Sequence, residues 1–179
     1  MESVFAQLVE KAAELNWCAR IYCTTCGSRD FRDALEQIAG DGGFGLVEPL
    51  SSLEVKSYVG LRDWDDCLRI AFLHLPFPGQ RERVLTAWLE NLGENIHFAD
   101  VVLFYLVRAL PSKSELRESW TSACASLACA SKNESLIESL VWTLRSDVSN
   151  HADLFGLAQE LSASSFKVRR ALFETGALQ

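Results

Sequence analysis

Residues 17–29 read WCARIYCTTCGSR, which places Cys18, Cys23 and Cys26 within nine residues and Gly27 directly behind the third thiol. Thiols this close have three uses. Deprotonated, they are ligands for zinc, which takes four donors in a tetrahedron and favours thiolates. Cys23 and Cys26 form a Cys-x-x-Cys pair suited to redox work, and Cys26 lies just ahead of an expected helix start, where the dipole lowers a thiol pKa. Left protonated, all three pack as small apolar side chains beside Trp17, Ile21 and Tyr22. Zinc lacks its fourth ligand here: there is no second Cys-x-x-Cys, and Cys67, His74, His97 and His151 are remote. A redox couple of thioredoxin type needs strand–helix alternation, which the pattern does not show. The expectation is a structural corner joining two helices, stapled by one zinc at most, and not an active site.

The other chemistry-bearing residues are more dispersed. Cys67 and His74 lie seven apart on one helix face, roughly 10 Å, beyond the reach of a nucleophile–base pair. His97 and His151 stand beside expected helix starts at Asn95 and Asn150, as surface or capping histidines. The run GDGGFG at 40–45 lacks the Lys-Ser/Thr of a phosphate loop and follows a helix instead of a strand. RDWDDC at 62–67 groups three aspartates around a tryptophan at a helix start. One aspartate caps the helix and the others suit the positive end of its dipole, while the spacing excludes a calcium loop. The functional reading of Asp63, Trp64, Asp65 and Asp66 is an acidic, aromatic patch that docks a basic partner.

Helical periodicity must position these groups. Val4, Phe5, Leu8, Val9, Ala12 and Leu15 form one stripe; Val84, Leu85, Trp88, Leu89 and Leu92 form another. Leu116, Trp120, Cys124 and Leu127 follow, then Leu136, Ile137, Leu140, Val141 and Leu144, then Leu154, Leu157, Ala158 and Leu161. Ser28, Asp63 and Asn95 read as N-caps, and Ser112 with Glu115 as a capping box. Gly40, Pro76, Pro78, Gly79, Gly93 and Pro111 read as breaks between stripes. TSACASLACAS at 121–131 is almost wholly small and suits a close helix crossing, with Cys124 and Cys129 on different sides. The pattern predicts an all-α fold: one domain over 1–179 with eight to ten helices packed as antiparallel hairpins, and a Gly-rich loop at 40–49.

Residues 164–178, SSFKVRRALFETGAL, resemble the second helix of a HEAT or armadillo-type unit, with Val168, Arg169 and Ala171 ahead of the helix-ending Gly176. The resemblance implies a helical-hairpin solenoid, a fold that grips other macromolecules. Cys23 to Gly27 resemble half of a zinc knuckle.

The 179 residues carry a net charge of −7, with 49% apolar and 23% charged side chains, which suits a globular chain and not a disordered one. Residues 1–90 hold 9 basic and 14 acidic side chains, against 8 and 10 in 91–179. Such a chain repels phosphate backbones, so direct nucleic-acid binding is not expected, and Lys167, Arg169 and Arg170 read as a solvated face. The first residues lack a signal peptide's pattern, and the longest apolar run, 101–107, is too short to span a bilayer. Six cysteines in a chain with a proper core point to reduced thiols in a cytoplasm. No catalytic set is complete. The expected function is non-catalytic protein binding: an acidic inhibitor or immunity-type protein that occludes a basic partner such as a toxin. The alternatives are a zinc-stapled adaptor on Cys18, Cys23 and Cys26, or a redox protein using Cys23 and Cys26.

Overall fold

The computed structural model describes Val47, Ser51, residues 75–103, Val107 and residues 110–178. Every regular element among them is helical, so the fold class is all-α. The chain divides into two compact units, residues 1–93 and 94–179. In the first, Val47 and Ser51 are both helical, and Val47 is buried.

Helix α1 (Pro78–Glu90) is the main described element of the first unit. Pro78 and Gly79, expected as breaks, stand in its first turn instead. Proline suits that place because the amide it lacks would have no intrahelical acceptor there. The Phe77 amide donates to Gln80 Oε1 at 3.2 Å, and Arg81 Nε donates to the Leu75 carbonyl at 2.6 Å, which fixes the entry of the chain. Val84, Leu85 and Trp88 are buried, as their spacing predicts.

The second unit opens with α2 (Ile96–Val101), where Asn95 Oδ1 accepts from the Phe98 amide at 3.1 Å. Asn95 is therefore the cap that the sequence predicts. Past Val101 the helix widens into a π-type turn at Val102 and Leu103. Helix α3 (Glu115–Ser131) is capped two residues later than expected, at Ser114 instead of Ser112. A turn from the Ser114 amide to the Pro111 carbonyl carries the chain past Ser112. Ser114 Oγ then accepts from the Arg117 amide at 3.2 Å, so the box of Ser112 with Glu115 does not form.

Only Lys132 and Asn133 separate α3 from α4 (Glu134–Leu144), and the two helices pack on each other. Lys132 takes a left-handed conformation (φ +53°) to close α3, and Asn133 caps α4 by accepting from the Leu136 amide at 3.0 Å. A 3-10 segment (Arg145–Asn150) leads to α5 (Ala152–Ser162) and α6 (Phe166–Glu174). All of these, with α2 and α3, pack against α4. That explains why α4 buries Leu136, Ile137, Leu140 and Val141 completely, at about 1.5–3 kcal/mol of apolar transfer each. Its polar Ser139 and Thr143 are buried as well.

Helix α6 is closed at both ends by its own sequence. Ser165 Oγ accepts from the Val168 amide, and Gly176 (φ +73°) makes a Schellman stop in which the Ala177 amide reaches the Leu172 carbonyl at 3.0 Å. Among the described residues no helix is long and apolar enough to cross a membrane.

Candidate functional site

Inside the second unit, Asp100 of α2 faces two hydroxyls of α4. Ser135 Oγ donates to it at 3.1 Å, and the half-exposed carboxylate also accepts from buried Ser139 Oγ. Two hydroxyl donors one turn apart on α4 thus clasp one acid on α2. The same acid lies near Cys124 of α3. Burial, and secondarily the Asp100 charge, push the Cys124 thiol up to about 12. A thiol in that setting keeps its proton and acts as a small apolar core residue, not as a nucleophile or metal ligand.

A hollow of about 280 Å³ between α3 and the start of α5 brings Cys129, His151 and Asp153 together with Ser122 and Ser126. These are the residue types of a cysteine nucleophile with its base and orienting acid. Such a nucleophile works as a thiolate, which needs cationic surroundings. Here burial and the Asp153 carboxylate both raise the Cys129 pKa, so the electrostatics run the wrong way. Among the described residues no three His, Cys, Asp or Glu side chains converge to hold a metal.

A larger cleft, about 860 Å³, opens where the C-terminal ends of α4 and α6 meet the start of α3. Arg117, Trp142, Arg145, Asp147, Glu174 and Thr175 are on its walls. Arg117 is already committed to structure, donating to the Leu110 carbonyl at 3.2 Å and toward that of Thr143. Arg145 holds φ +55° with ψ −130°, a region that side chains avoid and that stores about 1–3 kcal/mol. Two guanidinium groups, two carboxylates, the negative ends of α4 and α6 and the positive end of α3 share this cleft, so its charges are mixed.

The outer face of α6 is different in kind. Its buried residues, Val168, Ala171 and Leu172, lie on the side that meets α4 and α5. Phe166 and Phe173 stand on the opposite side, 71% and 75% exposed. With 100° per residue they fall within about 20° of each other and about 10 Å apart along the axis. Arg169 and Arg170 flank this stripe, roughly 50° to either side of its midline. Arg169 is fixed by donating Nε to the Ser162 carbonyl at 2.9 Å, which also satisfies a free carbonyl at the end of α5. Arg170 pairs with Glu174 at 2.7 Å on the exposed surface.

The sequence-predicted partner patch, Asp63, Trp64, Asp65 and Asp66, and the predicted zinc ligands, Cys18, Cys23 and Cys26, lie outside the described residues, as do Cys67 and His74. His97 is exposed in the first turn of α2, and His151 occupies the N-cap position of α5 without a side-chain capping bond. Lys167, Arg169 and Arg170 are exposed as expected. Sequence reasoning passed over Phe166 and Phe173. The signal was a spacing of seven that places both about half a turn away from the Val168–Ala171–Leu172 stripe. No family model, no curated protein and no solved structure matches the chain.

Proposed function

We propose that the chain is a non-catalytic protein-binding module. One observation carries the reading: two phenylalanines more than 70% exposed, on one stripe of a helix whose other side is fully packed. Isolated exposed apolar residues are ordinary, but phenylalanine and arginine are both enriched in protein interfaces over the rest of the surface. Protonated thiols, buried at Cys124 and part-exposed at Cys129, and clefts of mixed charge lend no support to catalysis by the described residues. The short links between α3 and α4 and between α5 and α6 support stacked helical hairpins, in the manner of HEAT-type units.

A finer form of the proposal is an acidic inhibitor or immunity-type protein that occludes a basic partner such as a toxin. The acid excess of residues 1–90 supports it, and Asp63, Trp64, Asp65 and Asp66 would carry it. The test is a native mass spectrum of the chain recovered from its own cells at natural abundance. A stoichiometric protein complex is expected; a bare monomer overturns the reading. The same spectrum weighs any zinc held by Cys18, Cys23 and Cys26.

A further inference from the structure

We infer that the outer face of α6 receives an acidic amphipathic helix from a partner protein. The inference rests on the binding reading above and adds the chemistry of the partner at this one face. Three features specify the occupant. Phe166 and Phe173 repeat at two helical turns, so a partner helix laid along α6 meets them with apolar side chains at i and i+7, with i+3 or i+4 between. Arg169 and Arg170 border the stripe on both sides: Arg169 keeps its net charge while held by a neutral carbonyl, and Arg170 is shared with Glu174, so acids flanking the partner's apolar seam gain a cation on one edge and exchange for Glu174 on the other. Charge selects the same occupant. With Lys167 and Glu174 included, α6 carries three cations and one anion, on a chain whose net charge is −7. An acidic segment is attracted by α6, where cations outnumber the one anion, although the chain as a whole carries an excess of acids.

The geometry also limits the entropic cost. Arg169 is already held by the Ser162 carbonyl, and α6 is stopped at both ends by Ser165 and Gly176, so the platform is ordered before anything binds. None of Phe166, Lys167, Arg170 or Phe173 is needed to pack the unit, because the packed side of α6 is Val168, Ala171 and Leu172. Substitutions on this face therefore separate binding from folding.

The test displays a library of random peptides of about 15 residues, roughly four helical turns, against the full chain. Counter-selection uses a Phe166→Ser, Phe173→Ser double variant whose circular dichroism and melting match the wild type. Enriched peptides are expected to be acidic, with apolar residues spaced three or four and seven apart. Their binding should weaken about tenfold or more on the double phenylalanine change. Lys167→Glu with Arg170→Glu should weaken it similarly and flatten its salt dependence. In these assays the inference is overturned by no peptide that distinguishes wild type from the double variant, by enrichment of basic peptides, or by a concentration-dependent dimer in sedimentation that the double variant abolishes. The last would make a second copy the occupant. A native complex that survives the double variant removes this face and keeps the binding-module reading. A bare monomer in the cell removes both.

Discussion

Replacing Asp100 by alanine removes the acceptor of two hydroxyls that tie α2 to α4, Ser135 Oγ at 3.1 Å and Ser139 Oγ. A hydrogen bond to a charged group contributes about 1.5–3 kcal/mol net when its donor is shielded from water. Ser135 is exposed, so water replaces the acid there at little cost. Ser139 is 7% exposed and keeps the full effect. The expected loss is therefore about 2–3 kcal/mol, and Asp100→Asn, which retains one acceptor oxygen, should lose about half of it. Urea unfolding followed through Trp120 and Trp142, which report on the same unit, gives the shift in midpoint at constant slope. A second readout is independent of stability. The Asp100 charge is the lesser of the two causes that raise the Cys124 thiol pKa, after burial. Either substitution should lower the pH at which that thiol ionises while leaving it above the ordinary value of 9.0. A stability change below about 0.5 kcal/mol, the range of ordinary surface substitutions, would refute the clasp. So would an unmoved Cys124 titration.

Alkaline pH provides a further check on Cys124. Its folded pKa, about 12, exceeds the ordinary thiol value of 9.0, so the folded state holds its proton more tightly. The stability this adds is complete below pH 9 and is lost as pH rises toward 12, at about 1.4 kcal/mol per pH unit. Cys124→Ala should make the fall in unfolding free energy above pH 9 measurably shallower; an identical slope would contradict the assignment. At the end of α6, Gly176 holds φ +73° and a Cβ added there would meet nothing within 4 Å. Gly176→Ala should cost about 1 kcal/mol from the backbone alone, read in the same urea titration, and a neutral result would deny the Schellman stop.

Much of the described architecture was legible because it follows from local rules. Leu136, Ile137, Leu140 and Val141 repeat at the helical period, and all four are buried. Asn95 stands directly before such a stripe and caps it. The start of α3 was harder to read, since Ser-Lys-Ser-Glu offers two hydroxyls and a turn at Pro111 chooses the second. Ser139 and Thr143 look like a polar face of α4, yet they are buried because the neighbours that cover them come from elsewhere in the chain. The meeting of Cys129 with His151 and Asp153 depends on α3 packing against α5, which no spacing announces. Phe166 and Phe173 were hidden for a different reason. In the sequence α6 offers two apolar stripes half a turn apart, and the packing of Val168, Ala171 and Leu172 decides which of them faces outward.

Hydroxyl-radical footprinting reads the Phe166–Phe173 stripe itself, because ring oxidation reports the solvent exposure of individual phenylalanines. The chain is exposed to radicals twice, once purified and once in gently lysed native cells, and Phe166 and Phe173 are compared with a buried control, Trp120. Both rings should oxidise readily in the pure chain and be strongly protected in the lysate, with Trp120 protected in both. Equal oxidation of Phe166 and Phe173 in the two settings would contradict docking at this face, because the stripe would then be bare where its partner resides.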